Sequence, residues 1–144
     1  MKKPVLIFMA MLFVASVAVH AQVKKEDAPK LKGPEPTPLN CKQYHNGNFK
    51  ITYLGKTIIV KRHGDIQEEY DGFDKPAIVY NVKWLNDCTY TLTPTAETVK
   101  QHKDIKKNTV LTVEIIQQNT ASFTQIVSAN YSNAKVNLEV YPVK

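Results

Sequence analysis

The stretch IVYNVKWLNDCTYTL, Ile78 to Leu92, decides the fold. Ile78, Tyr80, Val82 and Trp84 fall on every second position, with Asn81 and Lys83 between them. Asn86-Asp87 then supplies turn residues, and Cys88, Tyr90 and Leu92 alternate with Thr89, Thr91 and Thr93. A period of two belongs to a strand with one buried face. Two such runs around a short polar turn predict a hairpin.

The same period extends in both directions. Phe49, Ile51 and Tyr53 alternate with Lys50, Thr52 and Leu54, and Gly55-Lys56 reads as a turn. Ile58 and Val60 follow, then a His63-Gly64-Asp65 turn and a strand from Ile66 to Tyr70. Downstream, Leu111, Val113 and Ile115 share a face. Phe123, Val127 and Ala129 mark another strand, and Val136, Leu138 and Val140 the last. Only Thr95 to Lys107 tolerates a helix, opened by Pro94-Thr95-x-x-Thr98, and its low apolar content allows no more than a short surface turn. The fold class is therefore all-β: an antiparallel meander of seven or eight strands. To hide its edges it closes into a small up-and-down barrel, lipocalin-like, or curls into a half-barrel.

Ahead of this domain the composition changes twice. Lys2 and Lys3 precede an apolar run from Val5 to Val19, and Val19-His20-Ala21 suits a signal peptidase. At roughly 15 residues the run is short of the ~20 that a membrane span needs, so residues 1–21 are expected to be a secretory leader. No cysteine stands at the cleavage point, which argues against a lipoprotein; the expected address is the periplasm or the outside. Residues 22–40, QVKKEDAPKLKGPEPTPLN, are rich in proline and lysine and hold little apolar mass, so an extended tether is expected there. Residues 41–144 remain as one β domain. Without Lys2 and Lys3 the formal net charge of +6 falls by two, to +4, and no basic stripe interleaved with aromatics appears. No nucleic-acid partner is expected.

Export also frames the two cysteines. An even pair in an oxidising compartment most often forms a disulfide, and Cys41 with Cys88 would close a loop of about 47 residues (88 minus 41). Two other readings stand beside it: separate thiols, or a metal site of Cys41, His45, His63 and Cys88. The spacing is looser than zinc sites usually show. The disulfide is the preferred reading; no metal or cofactor is expected.

The runs CKQYHNGNFKI, VKWLNDCTYTL and VLTVEII, with Arg62 and Gln67-Glu68-Glu69 between the first two, resemble a family of small exported proteins from Bacteroidota. Its pattern is Cys, Gly-x-Phe, Arg, Gln-x-Glu and Trp-Leu-x-Asp-Cys-x-Tyr-x-Leu. Here the matches fall on Cys41, Gly47 and Phe49, then Arg62 and Gln67, then Trp84, Leu85, Asp87, Cys88, Tyr90 and Leu92. Glu69 fits the acid of Gln-x-Glu directly, and Glu68 fits with a gap. The resemblance covers nearly all of residues 41–144 and implies the fold more than any activity. The name that some members carry, transferred from a DNA topoisomerase IV subunit, does not suit an exported chain of this size.

Candidate chemistry is sparse. Asp65, Glu68, Glu69, Asp71 and Asp74 crowd one stretch, but lack the spacing of a calcium loop and read as an edge strand with its hairpin loop. Arg62 and Glu69 should approach across a hairpin, as a structural ion pair or a ligand-orienting one. Trp84 and Tyr90 flank their turn and could stack, for the core or for a ligand. No catalytic residue is assigned, since no nucleophile motif is present. The leading expectation is a non-enzymatic exported binding or structural module, whose partner is a small apolar or amphiphilic ligand or an envelope protein. Second comes an inhibitor or accessory subunit like the small periplasmic barrels that block lysozymes, and last a hydrolase with a cryptic site.

Overall fold

The computed structural model describes residues 38–72 and 76–144. The expected leader, most of the expected tether (22–37) and Asp74 lie outside the described residues.

A short 3₁₀ turn, Cys41–Tyr44, precedes eight described strands: β1 (Gly47–Tyr53), β2 (Lys56–His63), β3 (Ile66–Tyr70), β4 (Ile78–Trp84), β5 (Thr89–Pro94), β6 (Leu111–Gln118), β7 (Phe123–Ala129) and β8 (Lys135–Val143). They form a closed antiparallel barrel in sequence order, with β8 returning to β1 through pairs such as Ile51 with Val140. Of the two architectures expected, the closed one is found. Closure leaves no unpaired sheet edge.

Alternation works as the sequence reading requires. Phe49, Val60, Val82, Tyr90, Leu92, Val113 and Phe123 point inward and are buried, while Lys50, Lys61, Lys83 and Glu114 point outward and are exposed. This polarity is the reverse of a barrel that crosses a membrane by its strands. Among the described residues no helix is long and apolar enough to cross one either.

Two local features depart from the simple period. The first hairpin turns on Leu54-Gly55 and not on Gly55-Lys56: Tyr53 pairs with Lys56, and both turn residues take positive φ (48° and 76°). That is the signature of the two-residue turn whose twist suits a hairpin. In β6 the register shifts between Ile115 and Gln117, and Ile116 is exposed. One extra residue there sharpens the local twist.

The expected helical turn is α1 (Ala96–Gln101), capped by Thr95, whose side chain accepts from the Thr98 amide. Thr98 is buried, and its hydroxyl bonds both the amide and the carbonyl of Val79 (3.0 and 2.9 Å), fastening α1 to β4. At the N-terminal boundary, Leu39 already packs against the core, and the Asn40 amide reaches Gln118.

Candidate functional site

The antiparallel order puts two kinds of structure at the two ends of the barrel. At one end lie the 3₁₀ turn, the β4–β5 loop (85–88) and the β6–β7 loop. At the other lie the Leu54-Gly55 turn, α1 with the segment up to Thr109, and the β7–β8 loop with Tyr131.

The first end is plugged. Cys41 and Cys88 are bonded, with Cα atoms 5.1 Å apart, so the metal and separate-thiol readings do not apply. The plug has further fastenings. His45 stacks on Trp84 (centroids 3.6 Å apart), its Nε2 donates to the Asp87 carbonyl, and Lys42 lies 3.6 Å from the Asp87 carboxylate. Tyr44 stacks on Phe123 at 4.1 Å inside the barrel. Asn86 holds the loop in shape by accepting from the amides of Cys88 and Thr89. Gly47, with φ 139°, gives the Phe49 ring room: a Cβ there would sit 3.3 Å from it.

Beneath the plug lies a buried polar chain. Arg62 is 3% exposed, and its three nitrogens donate to Gln67 Oε1 (2.9 Å), the Tyr44 carbonyl (2.8 Å) and the Tyr90 hydroxyl (2.5 Å). Gln67 Nε2 donates in turn to Glu69 Oε1 at 2.9 Å, and Tyr90 donates to Gln125 at 3.4 Å. The guanidinium carbon stands 4.4 Å from the Tyr90 ring centre and 5.2 Å from that of Phe49, so aromatic faces share its charge.

The expected approach of Arg62 and Glu69 is thereby refined. Register places Arg62 opposite Gln67 and Glu69 opposite Val60. The cation and the carboxylate face the same interior, and Gln67 links them. Burial raises the Glu69 carboxyl above its ordinary value, against the opposing effects of the Gln67 hydrogen bond and the Arg62 charge. Burial, then the Glu69 charge, pushes the Tyr80 hydroxyl well up.

Between this chain and the opposite end the barrel is hollow. A cavity of about 110 Å³ is walled by apolar side chains such as Ile58, Ile78, Leu111 and Leu138. Arg62, Gln67, Glu69, Tyr80, Tyr90 and Gln125 give it a polar flank. Ile105, Thr109 and Tyr131 border it at the second end. Tyr131 is 53% exposed, which marks where the cavity meets the outside. A water needs ~10–15 Å³ of such space, and a dry engineered cavity of ~150 Å³ accepts benzene. The barrel thus has room for a ring or a short alkyl chain, and a long acyl chain would not be enclosed.

Of the four residues singled out for contact, Arg62, Glu69 and Tyr90 border this cavity. Trp84 does not. It is half-buried at the plugged end, between His45 and Tyr90, and packs against both halves of the core. The acidic cluster divides by alternation: Glu69 faces inward, while Glu68 takes a hydrogen bond from Tyr70 and lies 3.7 Å from His63. No metal-binding group of three or more His, Cys, Asp or Glu occurs among the described residues.

Sequence reasoning passed over Tyr44, Tyr80, Thr109, Gln125 and Tyr131. A signal for Gln125 existed, because it occupies an inward slot between Phe123 and Val127. No family model, curated protein or solved structure matches the chain.

Proposed function

We propose that the chain is an exported, non-enzymatic binding module whose barrel holds a small, mostly apolar guest. The cavity carries this reading: about 110 Å³ of space inside a closed barrel, with apolar walls and polar groups on one flank. Such a lining is what small-molecule sites commonly have. The disulfide fits an oxidising compartment, and export and kinship with the Bacteroidota proteins belong to the same proposal.

The test is a titration of the ¹⁵N-labelled protein with toluene, a small apolar ring. Amide shifts should gather at Ile58, Tyr80, Leu111 and Leu138 and spare Lys42 and Asn86. Shifts scattered over the outer surface, or none at saturation, would overturn it.

One observation favours the inhibitor reading. Leu54 is 80% exposed at the tip of a two-residue turn, with φ at 48°, where a leucine carries conformational cost. An exposed leucine held in that conformation suits insertion into a partner. On that reading Leu54→Gly would weaken a partner complex and leave toluene binding unchanged.

A further inference from the structure

The polar groups around the cavity are not equally available. Arg62 is the group that first suggests an anionic guest, yet it is 3% exposed, and each of its nitrogens already donates to the protein. A carboxylate that took over those bonds would have to displace Gln67, the Tyr44 carbonyl or Tyr90. Gln67, also 3% exposed, uses its carbonyl on Arg62 and its amide on Glu69. Gln125, at 5%, accepts from Tyr90. These donors of Arg62, Gln67 and Tyr90 are committed to the fold.

What remains toward the cavity includes the carboxyl of Glu69, beside Tyr80 and Gln125. Glu69 keeps accessible surface although protein surrounds it, because that surface borders the cavity. Gln67 engages Oε1, which leaves Oε2 as the oxygen that a guest can meet. Nearer the mouth, Thr109 is 4% exposed, and its hydroxyl is buried without a hydrogen-bond partner. Thr109 and Glu69 line the same cavity. A guest with a second carboxylate would set two negative charges in one apolar chamber, where low dielectric magnifies their repulsion.

We propose that Glu69 receives the polar end of the guest, and that the barrel selects small apolar molecules bearing a hydrogen-bond donor, an alcohol or an amine, over carboxylates. This rests on the binding reading above. Arg62 is then a positioning residue, holding Gln67 so that Gln67 aims the Glu69 carboxylate into the chamber.

Four probes of nearly one shape test it: toluene, benzyl alcohol, benzylamine and benzoate, titrated into the purified protein. Benzyl alcohol or benzylamine should bind about tenfold more tightly than toluene, in line with one added hydrogen bond to a charged group, and benzoate more weakly than toluene. The alcohol and amine arms distinguish a neutral from a charged donor. Glu69→Gln should cut the preference for benzylamine over toluene about tenfold. Equal affinities for toluene, alcohol and amine would overturn the inference and leave the binding reading intact. Benzoate binding tightest would also overturn it, moving recognition to Arg62. No binding by any probe would overturn both. Should Glu69→Gln fail to fold, the unmodified protein's ranking of the four probes decides alone.

Discussion

At the plugged end of the barrel the buried side-chain polar groups described above have partners, and the rings of Tyr44, His45, Trp84 and Tyr90 each lie against another. Cys41 is bonded to Cys88, Arg62 to three acceptors, and His45, Trp84 and Tyr90 lie against one another. At the other end Leu54 and Tyr131 stand exposed, and Thr109 keeps a buried hydroxyl without a partner. Stability is therefore concentrated where the chain closes the barrel, and vacancy where a guest would enter. A binding barrel needs both: fixed walls cost a guest less ordering than walls that must set on arrival.

The largest test of this contrast is the disulfide. Closing a loop of about 47 residues stabilises by about 4 kcal/mol in the chain-entropy model. Replacing Cys41 and Cys88 together by alanine should lower the melting temperature by on the order of 20 °C. Toluene affinity, measured well below the new transition, should hardly change. A melting temperature within a few degrees of the parent's would show that the plug does not dominate stability, and the contrast would fail.

Trp84→Ala comes next. Full burial of a tryptophan would put the loss at ~3–5 kcal/mol, and half-burial brings it to about 2–3 kcal/mol. Urea unfolding reads the loss, and iodide should quench native Trp84 only in part. Because Trp84 does not border the cavity, the variant should still bind toluene. Loss of binding with an unchanged midpoint would make Trp84 part of a recognition site.

The difference between the ends also explains what could be read in advance. Period-two alternation from Phe49 to Val140 is a local signal, because the pleat alone sends neighbouring side chains to opposite faces. It carried the barrel, and two cysteines in a chain read as exported carried the plug. Arg62 and Glu69 were legible as inward neighbours across the His63-Gly64-Asp65 turn, but the register that inserts Gln67 between them was not. On β3 the inward slots hold Gln67 and Glu69 while Ile66 and Tyr70 face outward, an inversion that a search for apolar faces reads backwards. Thr109 and Tyr131 come from connecting segments, which have no period. Their place in the cavity depends on how the whole barrel closes.

Glu69 gives a smaller effect with a definite sign. Burial raises its carboxyl above 4.5, so the folded protein keeps that proton to higher pH than the unfolded chain. The resulting stability is full below the unfolded value and is lost as pH rises through the raised folded value. Relative to Glu69→Gln, the parent should therefore lose stability as pH climbs through the raised folded value, and the difference between their urea midpoints should narrow toward acid. A difference that is flat with pH would mean that Glu69 titrates alike in both states, as an exposed carboxylate would.

The smallest effect asks whether the vacant end is vacant. Thr109→Val keeps the shape of the side chain and deletes only the hydroxyl, which lies buried beside the cavity with no partner in the protein. The Thr109 amide bond to the Lys106 carbonyl (3.0 Å) stays in place, so the segment should keep its path. An unpartnered buried hydroxyl costs free energy, and its removal should stabilise the empty protein by about 0.5–1 kcal/mol. The same change should leave the ratio of benzyl alcohol to toluene affinity as it was, because the hydroxyl has no surface open to the cavity. A variant less stable than the parent would mean that water in the cavity already satisfies Thr109. In that event the two ends of the barrel differ in what satisfies their polar groups, protein at one and solvent at the other, and the guest must displace that water before Glu69 can hold it.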